Sequence, residues 1–240
     1  MTALRLSVVI PAFNEAERLP RTLARVNAHL AGQGQAYEIV VVDDGSTDGT
    51  AESARAEGGN ALTLLRHHPN RGKGYAVRRG MLAAQGARRL MTDADLSTPI
   101  EDLSRLEAAV AAGHDVAIGS RAVRGANVAV RQPWYREAMG RLFNRLVRLL
   151  VLPGLYDTQC GFKLFTAEAA EAASGPAVLD GFSFDVEALF IARRRGLRIA
   201  EVPVTWRNDA ATRVGLLRGG QAFLDLLRIR ANGWRGRYLL

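Results

Sequence analysis

The chain of 240 residues has one cysteine, Cys160, and two lysines, Lys73 and Lys163. A lone cysteine excludes an intrachain disulfide and a cysteine-built zinc cluster. No histidine stands near it in sequence to activate it, so a nucleophilic thiol is not expected. His29, His67, His68 and His114 all lie away from the acidic motifs, which leaves no Ser-His-Asp triad and no histidine metal site. No uncharged apolar run is long enough to span a bilayer. A signal peptide is also missing, because the first apolar strand begins within a few residues of Met1. The expectation is a cytosolic protein that at most rests on a membrane. Internal repeats, low-complexity tracts and obvious linkers are absent as well.

What the chain has in excess is arginine, and the formal net charge is +8. Such a charge points toward phosphates, whether on a nucleotide, a lipid, an anionic membrane surface or a nucleic acid. The guanidinium fork grips phosphate in a bidentate way, although genomic base composition alone also enriches arginine. Nucleic acid fits the charge, but neither a recognised motif nor an aromatic stacking array accompanies it, and no nucleic-acid partner is expected.

The elements follow a regular alternation. Leu6–Ile10 is a buried strand closed by Pro11, and Asn14-Glu15 opens a helix through Leu19, Leu23, Val26 and Leu30 that ends at Gly32 and Gly34. Glu38–Val42 is a second buried strand, and it stops at Asp43-Asp44-Gly45-Ser46-Thr47-Asp48-Gly49-Thr50, a run of turn formers and helix caps. A helix and a third strand near Leu62–Leu65 follow, then a helix over Tyr75–Ala84. This is the pattern of an α/β protein with a mostly parallel sheet covered by helices. Val116–Arg121 and Ile199–Trp206 are later strands, with an aperiodic loop expected over Arg124–Pro133. Helix Trp134–Val151 carries Tyr135, Met139, Leu142, Leu146 and Leu150 on one face and Arg141, Arg145 and Arg148 on another. The tail repeats that character through Phe223, Leu224, Leu226, Leu227 and Ile229 beside Arg228 and Arg230. Basic amphipathic helices lie in membrane interfaces, and they also pack on cores with a solvated arginine face. The division expected is a catalytic domain over 1–210 and an amphipathic basic segment over 211–240.

The chemistry is carried by Asp93-Ala94-Asp95, at the end of a strand. Residues two apart on a strand face the same way, and paired carboxylates repel unless a cation sits between them. Hard oxygen ligands of this kind suit Mg²⁺ or Mn²⁺, which bridge protein carboxylates to substrate phosphates. A capped, solvated turn has the same signature. What favours a site is that Pro11–Glu15, Asp43–Asp48 and Asp93–Ser97 all fall at carboxyl ends of strands, where parallel sheets bind ligands. Asn70-Arg71-Gly72-Lys73-Gly74 offers backbone N–H groups and a cation to a pyrophosphate, or is simply a tight strand-to-helix turn; it is neither a Walker loop nor a Rossmann fingerprint. Asp185 and Glu187, also two apart, are helix-face charges or alternative positioning groups.

Taken together, residues 8–15, 41–50 and 93–95 resemble family 2 glycosyltransferases of the GT-A fold. Asn70–Gly80, Gly119-Ser120-Arg121 and above all Asp157-Thr158-Gln159-Cys160-Gly161-Phe162-Lys163-Leu164-Phe165 resemble the dolichyl-phosphate β-glucosyltransferase branch, next to the mannose synthases. The resemblance reaches to about Trp206. It implies a nucleotide base and ribose at Pro11, Phe13, Glu15, Val41 and Asp43, and a metal and diphosphate at Asp93, Ala94 and Asp95, helped by Lys73. It implies an acceptor phosphate near Arg121, Arg131 and Arg136, with Asp157 positioning acceptor or sugar. Ser97 stands where the mannose synthases commonly have glutamine, and Phe13 where tyrosine is common. Eukaryotic members carry an amino-terminal membrane anchor and some bacterial relatives carboxyl-terminal spans; this sequence shows neither, so a peripheral attachment is expected. The activity implied is inverting transfer of a hexose, glucose from UDP-glucose on the branch resemblance, to a polyprenyl phosphate. The rivals are a glycosyltransferase with a soluble sugar or metabolite acceptor, and a non-catalytic nucleotide-sugar or membrane-binding module. The oligomeric state is not indicated.

Overall fold

A computed structural model describes residues 4–130, 134–208 and 217–238. In chain order the elements are β1 (Leu6–Ala12), α1 (Leu19–Ala31), β2 (Tyr37–Asp44), α2 (Thr50–Glu57), β3 (Leu62–His67), α3 (Lys73–Ala83), β4 (Arg88–Thr92), α4 (Leu103–Ala111), β5 (Val116–Ser120), β6 (Asn127–Val130), α5 (Trp134–Leu150), β7 (Phe162–Thr166), α6 (Ala167–Ser174), α7 (Phe184–Arg194), β8 (Ile199–Pro203), β9 (Thr205–Arg207) and α8 (Leu217–Trp234). Seven strands form one sheet in the order β3-β2-β1-β4-β7-β5-β8, and β6 pairs with β9 in a small second sheet. Among the described strands only β7 runs antiparallel, against both β4 and β5. The expected mostly parallel α/β sheet is therefore what forms.

Every residue of β1 is buried, because helices cover both faces of the sheet. One apolar layer joins Val9, Val40, Val42 and Met91 to α3 and to α5–α8; the other joins Val8, Ile10, Ile39 and Leu90 to α1, α2 and α4. Two expectations shift at element ends. Helix α1 starts at Leu19 rather than Asn14, because Asn14 takes a left-handed φ of 56° and Pro20 favours the first helical turn. The loop expected over 124–133 contains β6, whose backbone partners come from β9, 75 or more residues later.

Helix α8 belongs to the same core as α5 and α7. Leu226, Ile229 and Tyr238 are buried in it, and Phe223 meets Phe143 edge-on at 5.6 Å. Glu187 is not a surface charge on a helix. It is fully buried and accepts from the backbone N–H groups of Val178 (3.0 Å) and Leu179 (2.8 Å) and from the Tyr238 hydroxyl (2.8 Å). Tyr238→Phe removes one donor from that carboxylate, and hydrogen bonds to charged groups contribute about 1.5–3 kcal/mol. A drop of about that size is expected in urea unfolding at unchanged m-value, and an unmoved midpoint would show that Glu187 does not need the hydroxyl.

Candidate active site

The cleft arises where two strands part. β1 pairs with β4 only as far as Val9 opposite Met91, while its pairing with β2 continues to Ala12. The chain has moved outward from β1 through β2 to β3 and then returned to place β4 on the other side of β1. Such a reversal opens a crevice at the carboxyl ends of the strands. Pro11 lies beyond the last β4 partner, so its missing N–H removes no bond on that side. The resulting cleft of about 590 Å³ is lined by Pro11, Phe13, Glu15 and Arg18 from the β1 end, by Asp44 and Lys73, by Asp93, Ala94 and Asp95, by Gly181–Ser183, and by Gln221, Ala222 and Asp225 of α8.

The 43–50 run acts mainly on the loop after β1. Asn14 N–H donates to Ser46 Oγ (2.9 Å), Glu15 N–H to Thr50 Oγ1 (2.8 Å) and Ala16 N–H to Asp48 Oδ2 (3.2 Å). Asn14 Oδ1 accepts from Thr47 N–H in return. The two strand ends are thereby stapled together, and Phe13 is held 44% exposed at the cleft, an open aromatic face of the kind that stacks on a base. Glu15 is gripped by Arg18 through both oxygens, at 2.6 and 2.7 Å.

Lys73 Nζ lies 2.6 Å from Asp93 Oδ1. Burial opposes the charge on Lys73, but Asp93, Asp185 and Asp95 outweigh it and hold the ammonium above its usual range. Asp95 is pushed up by burial and by Asp93, although Ser97 N–H donates to its Oδ1 at 2.9 Å. The pair thus stays short of positive charge even with Lys73 beside it. Thr22 Oγ1 donates to the Ala94 carbonyl at 2.6 Å and fixes the turn between the two carboxylates. Gly161 leaves the hollow in which Asp93 lies: a Cβ there would meet Asp93 Oδ2 at 1.9 Å.

The glycines at 72 and 74 do not cradle a phosphate with free N–H groups. Arg71 and Gly72 donate to the two oxygens of Asp44 (2.8 and 2.9 Å), and Gly74 to the Asp180 carbonyl (2.8 Å). They are glycines because a Cβ at either would meet the 179–180 backbone at 2.4 Å. Of the two readings of this loop, the tight turn accounts for its backbone, and Lys73 brings the cation to the cleft, beside Asn70 and Gly72. His67 is not remote from the acidic motifs either. Arg79 donates to its Nδ1, so its Nε2–H donates to Asp44, at 2.7 Å.

Asp157 is buried beneath Arg121, which donates to it through Nε (2.7 Å), Nη2 (2.8 Å) and the backbone N–H (2.9 Å). Burial alone would raise this carboxyl, yet the guanidinium holds it below the usual range, which makes it a weak base. Arg121 also stands 5.2 Å from the centre of the Trp206 ring. Behind them Lys163 donates to Asp185 (2.5 Å) and to the Cys160 carbonyl (2.6 Å). Burial and Asp157 push the Cys160 thiol up to about 11, so it remains protonated and inert.

Of the residues expected in the site, Pro11, Phe13, Glu15, Lys73, Asp93, Ala94 and Asp95 share the cleft. Val41 and Asp43 do not line it: Val41 is core, and Asp43 is buried, accepting from Ser46 N–H (2.8 Å) with Arg66 Nε 3.1 Å away. Asp157 and Arg121 form the ion pair just described. Arg131 lies outside the described residues, and Arg136 is on α5 with its side chain outside them. Asp44 stood within the Asp43–Asp48 run expected at the site, whereas sequence reasoning missed Lys163, Ser183 and the α8 residues. Only Lys163 carried a signal, as a rare lysine within an apolar strand.

A mostly parallel seven-stranded sheet with its cleft at the switch point is the GT-A fold of glycosyltransferases. Residues 7–173 match the model of glycosyl transferase family 2, and the chain belongs to that family. Dolichyl-phosphate beta-glucosyltransferase from Drosophila melanogaster is 34% identical over 253 residues, 97% of this chain and 78% of that protein. The protein of the same name from Homo sapiens is 34% identical over 254 residues, 96% of this chain and 78% of its own length. Glucosyl-3-phosphoglycerate synthase from Mycobacterium tuberculosis, solved with Mn²⁺, uridine diphosphate and glucosyl-3-phosphoglycerate, shares the fold with a TM-score of 0.72 at 21% identity, over 94% of this chain and 80% of that one.

Gly161→Ala is expected to displace the Asp93 carboxylate and cut turnover at least tenfold, about 1.4 kcal/mol in the barrier. Steady-state kinetics beside a thermal melt separates that effect from unfolding, and wild-type turnover in a folded variant would show that the position of Asp93 is immaterial.

Proposed function

We propose that this glycosyltransferase moves glucose from UDP-glucose to a polyprenyl phosphate, with inversion at the anomeric carbon. The observation that carries the reading is the convergence of Asp93, Asp95 and Lys73 where β1 and β4 part. It stands in a chain that relatives named dolichyl-phosphate beta-glucosyltransferase match over 96–97% of its length.

The donor's base stacks on Phe13 beside Pro11 and Glu15, with Val41 and Asp43 supporting the strand ends beneath the ribose. Asp93 and Asp95 would hold Mg²⁺ or Mn²⁺. They fit such an ion as hard oxygen donors whose shared charge Lys73 leaves incompletely neutralised. Among the described residues no third acidic, histidine or cysteine side chain joins them in a metal-binding cluster, so these two carboxylates are the protein groups that would hold the ion. When bound, the ion neutralises charge that develops on the departing diphosphate. Lys73 contributes a fixed cation to the same end, already in place before reaction.

The acceptor is a phosphate monoester with its second ionisation near pH ~6, so it is already a nucleophilic anion at neutral pH. A free carboxylate base is then unnecessary, which fits an Asp157 locked by Arg121. Arg121, fixed by that pair, orients the acceptor phosphate together with Arg131 and Arg136, and in-line attack inverts the anomeric carbon. The lipid is met at a membrane surface, on its cytoplasmic face in this reading. No described helix is long and apolar enough to cross a membrane. Of the apolar stripe expected on α5, Met139, Leu142 and Leu150 are exposed, as are Leu149 (70%) beside it and Leu224, Leu227 and Trp234 (75%) of α8. Arginines flank both helices, and each basic residue near an anionic surface adds about 1 kcal/mol.

Incubation with UDP-glucose, polyprenyl phosphate and Mg²⁺ or Mn²⁺ should give a lipid product heavier by one hexose. Glucose moving only to a water-soluble acceptor would replace this reading with the soluble-acceptor one. In the same assay Asp95→Asn should fall more than tenfold, above ~1.4 kcal/mol, without loss of fold. Turnover within tenfold would remove Asp95 from the metal. The protein should also sediment with anionic liposomes at low salt and release as salt rises. Leu224→Gln with Leu227→Gln should weaken that binding, and indifference to such liposomes would dismiss the membrane surface.

A further inference from the structure

One wall of the cleft plays no part in the steps above. It is formed by the turn ahead of α7 and the inner face of α8. Ser183 is the N-cap of α7, yet its hydroxyl makes no capping bond. It is wholly buried, and its Oγ has no hydrogen-bond partner among the described residues. Serine at an N-cap ordinarily accepts from the first turn, and buried hydroxyls are seldom left unpaired, so a cleft-lining residue whose hydroxyl is in this condition points to a ligand. Asp225, also buried, lines the same cleft, its Oδ1 accepting from Arg228 at 3.1 Å. Gln221 stands one turn earlier on α8 and also lines the cleft.

The chemistry of this wall is specific. A hydroxyl, a carboxylate and an amide supply acceptors and donors for neutral O–H groups. In the first turn of α7 Asp185 is turned to Lys163 and Glu187 to the Val178 and Leu179 N–H groups, so neither meets the cleft. Ser183, Gln221 and Asp225 bring no cation to this wall, which suits it to neutral hydroxyl groups rather than to a phosphate.

We propose that Ser183, Gln221 and Asp225 form the subsite that reads the hydroxyls of the donor hexose, so that α8 selects the sugar. This rests on the nucleotide-sugar reading above, but not on the lipid acceptor. The test is calorimetric titration of the full chain with UDP and with UDP-glucose in Mn²⁺, for wild type, Ser183→Ala, Gln221→Ala and Asp225→Asn. Ser183→Ala and Asp225→Asn should each leave UDP affinity within about twofold and lower UDP-glucose affinity about tenfold. Discrimination against UDP-galactose, the C4 epimer, should narrow in both, and Gln221→Ala should shift in the same direction. Ser183→Ala should melt at the wild-type temperature, because its hydroxyl has no protein partner to lose. An affinity ratio within twofold of wild type in either variant, or an equal loss for UDP and UDP-glucose, overturns the subsite. A wild type that binds neither compound overturns it together with the donor reading. The expected ratios in a protein that glucosylates no polyprenyl phosphate keep the subsite and reject only the lipid acceptor.

Discussion

Lys163 and Asp185 are nearly sealed from water and 2.5 Å apart. A buried pair of this kind adds little net stability, since desolvation roughly offsets attraction, but removing one partner strands a charge at a cost of about 3–5 kcal/mol. What the pair fixes is position. Lys163 ties β7 to the first turn of α7 and, through the Cys160 carbonyl, to the bend that makes room for Asp93. Asp185 in turn acts on Lys73, which meets Asp93, while Arg121 and Asp157 close the row. Four carboxylates face three cations, and the deficit falls beside Asp95. Both lysines of the chain stand in this row, although arginine serves everywhere else. A point charge with three separately aimed donors reaches a carbonyl and a carboxylate lying in different directions, which a planar fork does poorly.

The parts legible in the sequence were those that depend on neighbours along the chain. Runs such as Val8–Ile10 and Ile39–Val42 are buried on both faces, so their composition alone declares them. The acid pair and the capping run at 43–50 are local as well. What stayed hidden was long-range. Ser46, Asp48 and Thr50 read as caps, yet their partners are backbone groups over 30 residues earlier. Asp157 stands in the sequence as a group positioning acceptor or sugar, and nothing nearby announces its pairing with Arg121, 36 residues before it. Gly161 is a glycine for the sake of Asp93, and Asp225 reaches the cleft only because α8 folds back on α5 and α7.

Helix α5 shows a different limit. An apolar stripe beside arginines says that a helix is amphipathic, not which apolar side is covered. Phe143 and Val147 meet the core, whereas Met139 and Leu142 of the expected stripe are open. Helix α8 divides in the same way, with Leu226 and Ile229 inward and Leu224 and Leu227 outward. Each helix therefore has two apolar sides, and the outer ones are what a lipid surface would meet.

The antiparallel strand β7 also matters during synthesis. β5 and β8 connect to the rest of the sheet only through it. Once Thr92 has emerged, β3-β2-β1-β4 can pair, but the free side of β4 waits for Phe162, 70 residues later. At about 5–20 residues per second on the ribosome, that is several seconds with an unpaired strand edge. Such edges recruit other chains unless charge deters them. β4 begins with Arg88 and Arg89; Arg88 meets Glu107 of α4 within that interval, while Arg89, already bonded to the Met81 carbonyl, meets Glu171 only once α6 has followed β7. The charge of Arg89 is thus without its carboxylate for as long as that edge is open.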